Sequence, residues 1–208
     1  SAGERAEREL ASALGSARVT RAARQLRDAA RAFERERFSE ARALLRPLAE
    51  QAPSSASVRE LLGLTYYRLG RWKLAIKELE AFASLTSSTE QHPILADSYR
   101  ALGRWKRVDE LWEELRAASP AADLVAEGRI VLAGSLADRG DVAGAIAVLE
   151  QAKTRSQRPK AHHLRVAYAL ADLRERAGDV AGARELFRWI ASEDTDVADA
   201  AERARALR

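Results

Sequence analysis

The sequence predicts an all-α fold built as an array of helix–turn–helix repeats, and three observations carry that expectation. The 208 residues are dominated by Ala, Leu, Arg and Glu, with only 11 Gly and 5 Pro, so strong helix formers run on with few breaks. Glycines recur at Gly70, Gly103, Gly140 and Gly178, separated by 33, 37 and 38 residues. Each is followed by one register of side chains: Trp72, Trp105, Val142 or Val180 two residues on, Ala75, Val108, Ala145 or Ala183 five on, and Leu79, Trp112, Leu149 or Phe187 nine on. A period of that size marks a unit that buries its apolar face only by stacking on its neighbours.

The elements follow in order. Residues 1–21 form an N-terminal helical segment, with AERELASALG at 6–15 as a short extra helix before the array. A first repeat over about 22–55 is marked by Phe38, Ala41, Leu45, Leu48 and Pro53. The second, about 56–88, places Leu62, Gly63 and Tyr66 before the turn at Gly70, and Gly63 lacks bulk where the paired helices approach. The third, about 89–122, carries Leu95, Ala96 and Tyr99 before Gly103 and closes at Pro120. The fourth, about 126–159, has Leu132 and Ala133, and the fifth, about 164–197, has Leu170 and Ala171 at the same places. Asp141 and Asp179 follow the last two turn glycines, where a side-chain oxygen caps the next helix. A capping helix over 198–208 covers the last repeat through the stripe Val197, Ala201, Ala204 and Leu207 and turns Arg and Glu to water.

The segment LLGLTYYRLGRWKLAIKELEAFASL, residues 61–85, holds Leu62, Gly63, Tyr66, Gly70, Trp72, Ala75 and Leu79 in one frame. In that frame it resembles the tetratricopeptide-repeat (TPR) family, and the frame recurs over roughly 22–197. The resemblance implies a right-handed TPR solenoid of about five helix–turn–helix repeats, with an extra N-terminal helix and a C-terminal capping helix, as a single domain over 1–208. The stretches VRELLGLTYYRLGRWKLAIKELEAF, LTSSTEQHPILADSYRALGR and VAYALADLRERAGDVAGARELFRWIASED are also similar to poorly characterised TPR proteins of high-GC Gram-positive bacteria. Such relatives often carry a long basic extension before the repeats, and the resemblance implies no activity.

Composition narrows the function classes. There is no cysteine, which removes disulfides and thiolate metal sites and fits a reducing cytoplasm, the expected location. No apolar run nears the roughly 20 residues that span a bilayer. The Ser1 start and the lack of any Met lead to the expectation of a processed or trimmed product. The net charge is +4, and residues 1–46, with 11 Arg against 7 carboxylates, account for all of it. Solvated helix faces explain that excess, and a weak phosphate-binding arm is the sharper reading.

Catalytic chemistry needs convergent groups, and the sequence offers none. It has no nucleophile elbow, phosphate loop or dinucleotide glycine motif. The adjacent His162 and His163 point about 100° apart on a helix and read as exposed first-turn residues. His92, before Pro93, reads as a loop or first-turn residue. Carboxylate pairs such as Glu113–Glu114 read as solvated faces, and Glu193, Asp194 and Asp196 read as caps for the terminal helix in preference to a cation site. Trp72, Trp105 and Trp112 are core, whereas Trp189 falls on a usually polar face and packs under the terminal helix or forms a contact surface. No enzyme activity, catalytic residue, metal or cofactor is expected.

The resemblance places a concave groove along the first helix of each repeat. Its walls include Leu26, Ala30 and Phe33 in the first repeat and Glu60, Leu64, Tyr67 and Arg68 in the second. Asp97 and Arg100 follow in the third, Ile130 in the fourth, and Tyr168, Asp172 and Glu175 in the fifth. With no Asn in the chain, the family's Lys–Asn carboxylate clamp is disfavoured. The partner-binding candidates are Leu64, Tyr67, Arg68, Asp97, Arg100, Ile130 and Tyr168, because Tyr and Arg concentrate binding energy; the plain alternative is that Arg100 merely pairs with Asp97. The expected function is a protein–protein interaction scaffold that binds a peptide or protein partner in that groove. The alternative is nucleic-acid association through the Arg-rich N-terminal region. No membrane partner is expected, and self-association through Leu64 or Ile130 is open.

Overall fold

Helix formers between short breaks become twelve helices among the described residues, which contain no strand. The computed structural model describes the chain apart from Ser1, Gly15, Lys153, Ser156, Gln157 and Arg208, and apart from the side chains of Ala2, Ser16 and Ala17. The helices are α1 (Ala2–Leu14), α2 (Ser16–Glu34), α3 (Phe38–Gln51), α4 (Ala56–Arg68), α5 (Trp72–Thr86), α6 (His92–Arg100), α7 (Trp105–Ala118), α8 (Ala122–Asp138), α9 (Val142–Glu150), α10 (Ala161–Arg176), α11 (Val180–Glu193) and α12 (Ala200–Ala206). They pack as two units, Ser1–Gly103 and Arg104–Arg208.

In the first unit, α2 pairs with α3 and α4 with α5, and α2, α4 and α6 stand side by side. The turn before α5 is closed by Gly70 at φ +66°, a left-handed position that costs glycine nothing. The turn between α2 and α3 uses Glu36 at φ +57° for the same purpose. A Cβ on Gly63 would lie 2.7 Å from Leu79 Cγ and Cδ2, so α4 and α5 meet at a separation only glycine allows. Leu10, Leu45, Leu48, Val58 and Leu62 are 1% exposed or less and belong to one core. Each such side chain contributes about 1.5–3 kcal/mol by leaving water. Glu78, buried in that hairpin, pairs with Arg59 of α4, which also donates to the Pro53 carbonyl at 3.0 Å.

In the second unit, α8 pairs with α9 and α10 with α11, while α10 also packs on α8 and α12 packs on α11. Asp141 and Asp179 cap α9 and α11, accepting from the amides of Gly144 at 2.8 Å and Gly182 at 2.9 Å. Leu149, Ala167, Ala171, Phe187 and Ile190 are fully buried in its core. The terminal helix is shorter than the expected 198–208, and its buried face is Ala200 and Ala204, with Val197 and Leu207 packed at the edge. Ala201, expected on that face, lies one position round. Trp189 is half-buried against the same core. Asp199 is the N-cap residue of α12; Asp194 instead accepts from the Asp196 amide at 2.9 Å, closing its own turn.

Candidate partner-binding surface

In the first unit, the wall formed by α2, α4 and α6 carries five of the sequence candidates. Tyr67 on α4 and Asp97 and Arg100 on α6 form one cluster. The Tyr67 hydroxyl donates to Asp97 Oδ2 at 2.7 Å, and Arg100 Nη1 donates to Asp97 Oδ1 at 3.2 Å. The Arg100 and Asp97 side chains keep 31% and 26% exposure, so water reaches both. Burial, then the hydrogen bond to the Asp97 carboxylate, holds the Tyr67 phenol well above its usual pKa. The Tyr67 ring packs edge-on against Trp72, centroids 5.4 Å apart, which fixes where the hydroxyl points. Leu64 lies half-buried one turn earlier on α4.

Arg68 stands apart from this cluster. Its guanidinium lies 4.4 Å over the Phe38 ring and pairs with Glu36 at 3.0 Å, tying the end of α4 to the turn between α2 and α3. Thus both candidate arginines are engaged within the unit, Arg68 with Glu36 and Arg100 with Asp97.

The remaining candidates lie in the second unit. Ile130 packs half-buried against its core. Tyr168 on α10 donates its hydroxyl to Asp199, and Arg203 of α12 donates to Tyr168 Oη at 3.2 Å, to Asp172 at 2.9 Å and to Glu175. The Arg203 guanidinium also lies 4.4 Å over the Phe187 ring. The terminal helix therefore engages three predicted inner-wall residues of α10, and sequence reading did not single out Arg203. Its only sequence signal was an Arg one residue before the buried Ala204.

A second residue missed from sequence is Arg129. It lies 5.3 Å over the Trp112 ring and donates to the Val148 carbonyl at 2.8 Å. Burial, and secondarily the charge of Arg116, lower its pKa. It borders a cavity of about 400 Å³ together with Val125, Val166, His162 and His163. Those two histidines open α10 with rings 4.1 Å apart, and His163 Nδ1 accepts from the Lys160 amide at 2.9 Å; each is half-buried, so neither is the exposed residue expected. His92 begins α6, as a first-turn residue, and is buried at 6% exposure. Among the described residues no group of three or more His, Cys, Asp or Glu is placed to hold a metal, and no helix is long and apolar enough to cross a membrane.

Solved structures share this arrangement of helices. A thermophilic TPR protein of Thermus thermophilus superposes with a TM-score of 0.66 at 18% identity, covering 89% of this chain and 98% of that one. A Podosopora anserina chain of nearly identical TPR-like repeats gives 0.64 at 23% identity, over 86% and 98%. The Pseudomonas aeruginosa pilF protein gives 0.59 at 18% identity, over 92% and 90%. The chain has the tetratricopeptide-repeat fold. No family model and no curated protein matches its sequence. The TPR fold accounts for the placement of Tyr67, Asp97 and Arg100: the first helices of successive hairpins stand side by side, so residues 30 and 33 positions apart meet on one wall.

Proposed function

We propose that this chain is a cytoplasmic bacterial scaffold that binds a peptide or protein partner along the inner walls of its repeats and catalyses no reaction. The repeats are assigned to about 22–55, 56–88, 89–122, 126–159 and 164–197, flanked by the segments 1–21 and 198–208 within one domain. One observation carries the reading: Tyr67, Asp97 and Arg100 converge on α4 and α6 as a half-exposed cluster of one hydroxyl, one carboxylate and one guanidinium. Its groups present both a donor fork and an acceptor to a polar guest, with Leu64 and Arg68 beside it on α4 and Ile130 and Tyr168 on the walls of the second unit. Partly exposed Arg and Tyr are the types in which interface energy concentrates.

Nucleic-acid association draws less support. Arg27 pairs with Glu7, Arg31 with Asp28 and Arg37 with Glu40, and the excess left over residues 1–46 is only +4, a small charge for phosphate binding. The test is affinity capture with the wild-type chain and with an Arg68→Glu, Arg100→Glu variant whose circular dichroism is unchanged. A partner held by the wild type and lost by the variant supports this surface. Equal recovery by both removes these two arginines from it.

A further inference from the structure

Helix α1 does not continue the line of hairpins. It packs against α2 and α4, the first helices of two successive hairpins, and so lies across the inner wall of the first unit. Beneath it are Leu26, Ala30 and Glu60, three residues that the TPR frame turns toward a guest. Its sequence suits that seat. Leu10 and Leu14, at helical spacing, are 0% and 6% exposed, with Ala6 and Ala13 half-buried on the same stripe. Two carboxylates fix its register. Glu9 Oε2 accepts from the Ser57 amide at 2.8 Å and from Ser55 Oγ at 3.0 Å, which places a negative charge at the N-terminus of α4, where the helix dipole favours it. Glu7 pairs with Arg27 of α2 at 2.8 Å.

The fit is incomplete. A cavity of about 340 Å³ remains between α1 and the wall, bordered by Ala6, Leu10, Ala23, Leu26 and Leu61. Ser57 Oγ, on the same border, is buried and makes no hydrogen bond among the described residues. The cavity is open to solvent along one side, so a larger apolar group there has room to enter. Ala6 is the smallest side chain that the buried stripe of α1 brings to this border.

We infer that the inner wall of the first unit is a seat for an acidic amphipathic helix, that α1 is its resident occupant, and that a partner helix with a larger apolar residue at the place of Ala6 displaces it. This rests on the reading of that wall as a binding surface. The partner's chemistry is written in α1 itself: a carboxylate for the start of α4, a second for Arg27, and apolar side chains four residues apart between them. A partner of that kind keeps both polar contacts and gains the cavity. The chain therefore binds in proportion to how often α1 is off the wall, because apparent affinity scales with the fraction of competent protein.

The test uses a fluorescein-labelled peptide of residues 2–14 carrying Ala6→Leu and three full-length chains, with anisotropy as the readout. The chains are the wild type, Leu10→Asp, which puts a charge on the buried face of α1, and Ala6→Leu, which fills the cavity in cis. Limited trypsin cleavage at Arg5 and Arg8 reports release of α1, and circular dichroism reports the remaining helices. The expected result is affinity about tenfold higher for Leu10→Asp and about tenfold lower for Ala6→Leu than for the wild type. Equal affinity for all three chains, or no binding to a Leu10→Asp chain whose other helices persist, overturns the inference. If Leu10→Asp unfolds, the Ala6→Leu comparison decides alone, and affinity equal to or above the wild type is then the overturning result. Neither failure touches the proposed scaffold function, which is read separately from the Arg68→Glu, Arg100→Glu variant.

Discussion

Replacing Gly63 by alanine tests how closely the repeat helices pack. At an ordinary site inside a helix this change stabilises by about 1 kcal/mol, because alanine loses less backbone freedom on folding. At Gly63 the added Cβ arrives 2.7 Å from Leu79 Cγ and Cδ2 and 3.2 Å from the Leu79 backbone nitrogen. Carbon–carbon contacts are most favourable near 3.5–4.0 Å, so α5 must withdraw by about 1 Å, and Leu79, fully buried, has no open space to enter. Overpacking of this kind costs about 1–3 kcal/mol, which leaves a net loss of about 1 kcal/mol. The decisive measurement is a double-mutant cycle by urea unfolding. Leu79→Ala alone costs about 2–5 kcal/mol, but it removes the obstructing atoms. In that background Gly63→Ala regains its usual gain of about 1 kcal/mol, a coupling of about 2 kcal/mol between the two sites. A Gly63→Ala chain more stable than the wild type, with no coupling to Leu79, refutes the close approach of α4 and α5.

Two further outcomes follow from the same unit. Glu78→Ala leaves the Arg59 guanidinium, 15% exposed, without its carboxylate; the expected loss is about 3–5 kcal/mol, and the double change Glu78→Leu, Arg59→Met recovers most of it. A loss below about 1 kcal/mol for Glu78→Ala in the urea midpoint would show that Arg59 reaches water instead. Tyr67→Phe removes the hydroxyl that donates to Asp97 and costs about 1 kcal/mol near neutral pH. Because burial and Asp97 raise the phenol above its ordinary value of 10.0, the folded chain holds that proton more tightly than the unfolded one. Its contribution is complete below about pH 10 and falls as pH rises toward the folded value. Urea midpoints taken between about pH 8 and 11 should decline more steeply for the wild type than for Tyr67→Phe, and parallel declines contradict the assignment.

What the sequence disclosed and what it hid divide along the range of the interactions involved. Gly70, Gly103, Gly140 and Gly178 all adopt positive φ, and Asp141 and Asp179 cap the helices they precede, because those requirements are local and only a few residue types meet them. Gly63 was legible for a related reason: a missing side chain in an apolar helix signals a close neighbour. Glu36 closes the first turn at φ +57° and gave no such signal, since glutamate usually avoids that conformation and adopts it here only because the packing of the flanking helices requires it. At the terminal helix Val197, Ala204 and Leu207 pack as expected, but Ala200 takes the fully buried place expected for Ala201, because alanines fill both positions and periodicity cannot choose between them.

The candidate wall shows the same division more sharply. The TPR frame put Tyr67, Asp97 and Arg100 on facing helices, but the hydroxyl and guanidinium converging on one carboxylate depend on side-chain reach across α4 and α6. The position of α1 lay further out of sight. Its Ala6–Leu10–Ala13–Leu14 stripe announces an amphipathic helix and equally suits the outer end of the array or the inner wall. What selects the wall is Glu9 meeting the Ser57 amide 48 residues away, together with Leu10 meeting the wall near Leu26. Periodicity therefore specifies that a helix has a face to bury, and the polar groups at its edge decide against which surface. That makes Glu9 the residue that fixes the register of α1 on the wall.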